Sequence, residues 1–141
     1  MNPEVLLSRI RVVLCRPSHP GNIGAAARAM KTMGLSSLYL VTPKQFPDPE
    51  ADTRATGAVD VLERATVTSS LKEALAGTAF AVALSARQRD IGPVLGAPRE
   101  TVARLIAEAA AGSDVALVFG NETVGLTNEE ILHCQAAVTI P

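Results

Sequence analysis

Asn22 and Arg28 lie six residues apart in a stretch of small residues, Asn-Ile-Gly-Ala-Ala-Ala-Arg, and this spacing is the first hint of chemistry. The stretch follows an apolar run, Ile10–Cys15, and a proline–glycine turn. Small residues let another molecule approach the backbone, and an arginine beside them can meet an anion. A second glycine-bearing segment, Phe119–Leu126, carries an asparagine and a glutamate near the far end of the chain. The two segments together predict a site for an anionic ligand.

Other reactive side chains do not form a recognised catalytic pattern. Gly21 and Gly24 have Gly-x-x-Gly spacing, but the full dinucleotide pattern Gly-x-Gly-x-x-Gly and the Gly-Lys-Ser/Thr of a P-loop are missing. Cys15, Ser85 and the two histidines lack a nucleophile elbow, and Cys15 is expected to be a small buried hydrophobe. No cluster of His, Cys or acidic residues has metal-ligand spacing, so the sequence predicts no metal site.

Strands that alternate with helices must position these residues. Apolar runs typical of buried parallel strands are Arg11–Cys15, Leu38–Val41, Ala65–Val67, Phe80–Leu84, Asp114–Phe119 and Ala137–Ile140. Five helices are predicted: from an N-cap at Asn22 to a stop at Gly34, Ala51–Ala58, Leu71–Ala76, Pro98–Ala111, and from an N-cap at Thr127 to Cys134. The helix Leu71–Ala76 follows a predicted capping box of Ser70 and Glu73. The helix Pro98–Ala111 has an apolar stripe of Val102, Leu105, Ile106 and Ala109. This order predicts one α/β domain over residues 1–141, with a mostly parallel sheet and helices on both faces.

Ligands bind at the carboxyl ends of the strands in open parallel sheets. Four segments are expected to meet there: the turn after Cys15, the corner Ser85–Arg87, the loop Gly120–Gly125 and the last residues, Ile140–Pro141.

The composition favours a globular protein with an aliphatic core. The 141 residues are 48% apolar, 19% charged and only 3% aromatic, which argues against a base-stacking platform. The net charge of −1 excludes a global basic field, although ten arginines against three lysines favour local contacts with phosphate or carboxylate. Two distant cysteines, the lack of a signal peptide and the lack of a membrane-length apolar run predict a reduced, cytoplasmic protein that makes no membrane contact.

The two segments of the first paragraph also resemble a known family. The segment from Asn22 to Arg28 is similar to the first motif of the SpoU-type 2′-O-methyltransferases of the SPOUT superfamily, and Val118–Leu126 is similar to their second motif. Ser18–Gly24, Ala29–Leu35 and Leu84–Arg87 resemble the members that methylate the ribose of tRNA nucleotide 32, in the anticodon loop. The resemblance implies a C-terminal trefoil knot, a homodimer and S-adenosylmethionine as cofactor.

The resemblance also implies roles for single residues. Arg28 would clamp the phosphate beside the target ribose and stabilise the emerging alkoxide, because a guanidinium stays protonated and is a poor base. Asn22 would cap its helix and orient Arg28 or the ribose, and Glu122 would hold Arg28 or a backbone amide. The residues implied for the adenosine pocket are Leu84, Ser85, Ala86, Gly120 and Ile140. Arg87 and Arg89 are implied to contact tRNA phosphates across the dimer.

The third motif of the family, a Ser-Leu-Asn segment that leads into a final helix, would follow Ile140–Pro141. The sequence is therefore expected to be a truncated form of such an enzyme. A non-catalytic RNA-binding or dimerisation module on the same scaffold is the main alternative. A nucleotide-binding α/β domain is a third possibility, which the incomplete glycine pattern disfavours.

Overall fold

The computed structural model describes residues 2–85 and 96–139. The strands are β1 (Ile10–Cys15), β2 (Ser37–Val41), β3 (Thr66–Thr68), β4 (Thr78–Ser85), β5 (Asp114–Phe119) and β6 (Ala136–Thr139). The α-helices are α1 (Pro3–Ser8), α2 (Pro20–Thr32), α3 (Pro49–Ala55), α4 (Val59–Glu63), α5 (Leu71–Ala74), α6 (Pro98–Ala110) and α7 (Asn128–Leu132), and one turn of 3-10 helix covers Thr56–Ala58.

The six strands form one parallel sheet in the order β3-β2-β1-β5-β4-β6. The predicted α/β class and parallel sheet are therefore confirmed, whereas the knot implied by the resemblance stays a prediction. The central pair β1–β5 aligns Leu14 with Phe119, and β4 aligns Leu84 with both Phe119 and Val138. Because all strands run in one direction, the carboxyl ends of β1, β4, β5 and β6 lie along the same edge of the sheet.

Each face of the sheet carries its own apolar core. One core packs α2, α3, α4 and α6 against the sheet through residues such as Ile23, Ala51, Leu62 and Leu105. The opposite core is covered by the short helices α5 and α7, which contribute Leu71, Ala74 and Ile131. Helices that connect one strand to the next in one direction across the sheet cover one face, and helices that connect strands in the opposite direction cover the other face. The right-handed crossover rule requires this arrangement.

The start of α2 differs from the prediction. The helix begins at Pro20 with His19 as N-cap, and the His19 side chain makes no capping hydrogen bond. Pro20 occupies the first helical position, where its fixed φ suits the helix and its missing N–H costs nothing. Asn22 is consequently a residue of the first turn, and its side chain is free for a contact outside the helix.

Two further details of the helices correct the sequence interpretation. The buried side of α6 consists of Thr101, Leu105 and Ala109, while Val102 and Ile106 of the predicted stripe are 49% and 36% exposed. At α5, Ser70 accepts a hydrogen bond from the Glu73 amide, but the Glu73 carboxylate accepts one from the Ser69 hydroxyl, so the predicted capping box does not close.

The contact between α2 and α3 is unusually close because α2 carries glycine where α3 crosses it. A Cβ at Gly24 would lie 2.2 Å from the carbonyl oxygen of Ala51 and 2.9 Å from the Cβ of Arg54. Ala51 and Ala55 are fully buried on the facing side of α3. The small residues of the Asn22–Arg28 stretch therefore admit a neighbouring helix of the same chain.

Candidate active site

The carboxyl ends of β1 and β5 lead into a shared corner, which is built by residues 16–22 and 120–130. Arg16, directly after β1, has a positive φ of 51°, an uncommon conformation for a residue other than glycine. Its backbone oxygen accepts a hydrogen bond from the Asn121 side-chain amide at 2.8 Å. This bond joins the segment after β1 to the loop after β5.

Glu122 holds the turn that leads into α2. Its Oε1 accepts hydrogen bonds from the Ser18 amide at 2.7 Å and from the Ser18 hydroxyl, and its Oε2 accepts one from the Asn22 side-chain amide at 3.4 Å. Burial acts to raise the pKa of this carboxyl, but the bonds from Ser18 and Asn22 outweigh it and lower the pKa to about 2. Glu122 is therefore ionised at neutral pH, and it anchors a backbone amide, one of its two predicted roles.

The loop after β5 is shaped by its own asparagine and glycines. The Asn121 carboxamide oxygen accepts hydrogen bonds from the amides of Thr123 at 2.8 Å and Val124 at 3.0 Å. Gly125 has a φ of +75°, and a Cβ at Gly120 would lie 2.3 Å from the backbone of Gly125 and Leu126. The lack of a side chain at Gly120 is thus required for the loop to fold back on itself.

An ion pair between the half-buried Arg16 and the buried Glu130 lies behind the corner. The Arg16 guanidinium donates two hydrogen bonds of 2.9 Å to the Glu130 carboxylate and a third, of 3.0 Å, to the Gly125 carbonyl. Glu130 also completes a capping box with Thr127, so it fixes the start of α7. Burial acts to raise the pKa of Glu130, but the bonds from Arg16 and Thr127 outweigh it and lower the pKa.

The sequence predicted the turn after Cys15 in this corner, but no role for the side chains of Arg16, Ser18 and Glu130. The Thr-x-x-Glu spacing at Thr127 was a usable signal for Glu130, since it is the pattern of a capping box. No local pattern indicates Arg16, because its partner is 114 positions away in the chain.

Arg28 lies apart from this hydrogen-bonded corner. It is an exposed residue of α2 at a shallow depression between α2 and α3. Within residues 2–85 and 96–139, the Arg28 side chain makes no hydrogen bond or ion pair, and neither Asn22 nor Glu122 is its partner. The structure therefore brings Asn22 and Glu122 together and leaves the Arg28 guanidinium available to a ligand.

Three of the predicted cofactor residues, Leu84, Ser85 and Gly120, lie at the ends of β4 and β5. Ser85 is buried and is aligned with Thr139 of β6, and Leu84 is aligned with Phe119, which precedes Gly120. The Thr139 hydroxyl oxygen is buried and has no hydrogen-bond partner within the described part of the chain. Small side chains and a buried hydroxyl that has no partner among the described residues fit the binding of a polar group such as adenosine. The other predicted site residues, Ala86, Arg87, Arg89 and Ile140, lie outside the described residues.

The cysteines are ill suited to nucleophilic chemistry. Cys15 and Cys134 are buried free thiols, and burial raises the pKa of each to about 12, so both stay protonated at neutral pH. In residues 2–85 and 96–139, no three His, Cys, Asp or Glu side chains are grouped so that they could hold a metal ion. Across the same residues, every helix is too short or too polar to cross a membrane.

Comparison with known protein families finds one that matches nearly the whole chain. The model of the SpoU rRNA methylase family matches residues 9–141. The chain belongs to this family. Its resemblance to SpoU-type enzymes, which rested on short motifs, is thereby confirmed over nearly the whole sequence.

Similar proteins with names or solved structures are also known. The tRNA (cytidine/uridine/adenosine-2′-O-)-methyltransferase TrmJ of Pseudomonas aeruginosa is 53% identical over 136 residues, which are 96% of this chain and 53% of that protein. The chain thus spans about half the length of the curated relatives it matches. A probable methyltransferase from Bordetella pertussis is 43% identical, with a TM-score of 0.87 over 98% of this chain and 84% of the other. The SpoU methyltransferase AviRb of Streptomyces viridochromogenes, solved with AdoMet, shares the fold at 24% identity, with a TM-score of 0.65 over 93% of this chain and 48% of the other.

Proposed function

We propose that this SpoU family member transfers the methyl group of S-adenosylmethionine to a ribose 2′-hydroxyl of tRNA, at nucleotide 32 of the anticodon loop. The observation that carries the proposal is the bonding of Ser18 and Asn22 to Glu122, because it unites both family motifs in one corner. The TrmJ relative supports tRNA as substrate, and the AviRb complex shows that another protein of this fold holds the methyl donor.

In the proposed reaction, different described residues bind the cofactor and stabilise the developing charge. When bound, S-adenosylmethionine supplies a methyl group on a positively charged sulfur, and Ser85, Gly120 and Thr139 would hold its adenosine. A ribose 2′-oxygen would accept that methyl group, and the hydroxyl proton would pass to solvent. Arg28 would bind the adjacent phosphate and stabilise the negative charge that develops on the 2′-oxygen.

Glu122 is a positioning residue in this scheme. A carboxylate with a pKa of about 2 is a poor general base for a ribose hydroxyl, since an efficient base has a pKa near the working pH. Its bonds to Ser18 and Asn22 instead fix the turn at the start of α2, the helix that carries Arg28.

We also propose a cytoplasmic homodimer, as the resemblance implies. An apolar hollow of about 300 Å³ between α2 and the strands β1 and β5 supports a protein contact on this face. Its rim includes Met33, which is 62% exposed. Light scattering of the purified protein tests this part: a monomer at all concentrations would contradict it.

The decisive test is methyl transfer from labelled S-adenosylmethionine to an unmodified tRNA transcript. A transcript with a 2′-deoxynucleotide at position 32 is the matched control, because it lacks only the acceptor oxygen. We expect label in the first transcript and none in the second. Equal labelling of both transcripts would show that the methylated nucleotide is not nucleotide 32. Binding of tRNA without any methyl transfer would instead favour a non-catalytic RNA-binding module.

A further inference from the structure

Two arginines from different helices line one surface depression beside the candidate active site. The depression has a volume of about 420 Å³. It is lined by Ala25, Arg28, Ala29, Thr32, Met33 and Arg54. Arg28 belongs to α2 and Arg54 to α3, and no role has been assigned to Arg54 by the motifs or by the corner described above.

The glycines of α2 explain why Arg54 reaches this position. The Cβ of Arg54 lies only 2.9 Å from the place where a side chain at Gly24 would begin, and its Cγ lies 3.6 Å from the corresponding point at Gly21. Its aliphatic stem therefore crosses α2 at these two glycines. Arg28 follows Gly24 by four residues, so the two positions are neighbours on one side of α2. The Arg54 stem runs from Gly24 toward Gly21, and the Arg28 side chain, like other helical side chains, points toward the N-terminus of α2 and hence toward Gly24. Both residues accordingly line the same depression.

The two guanidinium groups differ in their bonding from those of Arg9, Arg11, Arg16 and Arg104, which the protein itself engages. Arg9, Arg11 and Arg16 donate hydrogen bonds to carbonyl or carboxylate oxygens of the chain, and Arg104 stacks on the Phe80 ring. Within the described residues, neither Arg28 nor Arg54 has a hydrogen bond or ion pair, although Glu50 lies one helical turn before Arg54. Two unpaired cations that share one depression favour a bridging anion, and a phosphate matches the planar donor fork of arginine.

We propose that Arg54 and Arg28 together bind one backbone phosphate of the tRNA, next to the nucleotide that is methylated. Arg54 is thus an additional RNA-binding residue, and the Ala25 and Ala29 surface leaves room for the sugar–phosphate chain beside it. The inference rests on the proposed function for the identity of the anion. It deepens that function because it adds α3 to the RNA surface.

The test is tRNA binding as a function of salt, measured by fluorescence anisotropy between about 50 and 200 mM. Wild type is compared with R54Q, R28Q, the double variant and R64Q. Arg64 is an exposed arginine at the end of α4, so R64Q removes the same charge away from the depression. We expect R54Q to weaken binding about tenfold and to reduce the salt slope by roughly 0.7 to 0.9, as for one lost phosphate contact. R64Q should bind tRNA with the affinity of wild type. The affinity of the R28Q/R54Q double variant should fall by less than the product of the two single-variant fold-changes.

The outcomes separate this proposal from the proposed function when methyl transfer is measured on the same samples. If wild type methylates tRNA and R54Q keeps the wild-type slope, or loses no more than R64Q, the shared phosphate site is wrong and the function stands. If R54Q and R28Q both reduce the salt slope, R64Q does not, and no sample transfers methyl, the shared phosphate site is supported and the proposed function is wrong. A wild-type protein that does not bind tRNA overturns both.

Discussion

The substitution G24A tests the close contact between α2 and α3 on which the position of Arg54 depends. A methyl group at this position would lie 2.2 Å from the Ala51 carbonyl oxygen, where ordinary contact begins near 3.4 Å. The obstacle is helix backbone, which cannot turn aside as the end of a flexible side chain would. Helix α3 must therefore move outward by about 1 Å, which loosens the packing of Ala51 and Ala55.

Two opposing effects determine the expected stability of G24A. Alanine is about 1 kcal/mol more favourable than glycine inside a helix. Forcing an extra group into a packed contact costs about 1–3 kcal/mol, and more where backbone must move. We expect the contact to dominate, with the free energy of unfolding lowered by about 1–2 kcal/mol. For a chain of this size, the melting temperature should then fall by roughly 3–8 °C.

Chemical denaturation and thermal unfolding of purified G24A provide the measurement. G57A is the matched control, because a Cβ at Gly57 would meet no atom within 4 Å. We expect G57A to remain within about 0.5 kcal/mol of wild type, as surface substitutions usually do. A G24A protein as stable as wild type, or more stable, would refute the close contact and with it the geometric basis for Arg54.

Three other substitutions test the corner and its neighbouring arginine. R28A should slow methyl transfer by on the order of 100-fold with little change in S-adenosylmethionine binding, and near-normal single-turnover rates would exclude a role for Arg28 in the transition state. Glu122 should stabilise the fold only while it is ionised: its pKa is about 2 against an ordinary value of 4.5, so the stabilisation is complete above pH 4.5 and disappears as the pH falls toward 2. The difference in unfolding free energy between wild type and E122Q should shrink over that range, and a difference that is independent of pH would contradict the cause given for the low pKa. E130Q should lower stability by about 1–2 kcal/mol in urea unfolding, because it leaves the half-buried Arg16 guanidinium with only water in place of its carboxylate. A loss below about 0.5 kcal/mol, the range of ordinary surface substitutions, would show that the pair is dispensable.

The strands could be predicted well from sequence because their signal is local. Apolar runs such as Asp114–Phe119 have a length and composition that few other structures share, and β5 has these same bounds. The apolar stripe of α6 failed for an equally physical reason. Hydrophobic spacing places Val102 and Ile106 beside Leu105, but how α6 rotates against the sheet depends on residues far away in the chain.

The site was predictable only where a residue type carries its own chemistry. The motifs drew attention to Asn22 and Glu122, and the structure joins them by a hydrogen bond. The bond to the Ser18 amide and the Arg16–Glu130 pair depend on segments more than 100 residues apart, which only the completed sheet brings together. Their roles in catalysis stay predictions.

The small residues between Asn22 and Arg28 show how far such a pattern can be interpreted. Glycine at position 24 indicates that something approaches the helix backbone closely, but the residue type does not say whether it is a ligand or the chain itself. Here it is α3, and Ala51 fills the space that a ligand was expected to occupy. The consequence for function is indirect: because α3 lies so close, the Arg54 stem is held across α2 near Arg28. The glycine contributes to an anion site by positioning a second arginine, and for this reason G24A should weaken tRNA binding as well as stability.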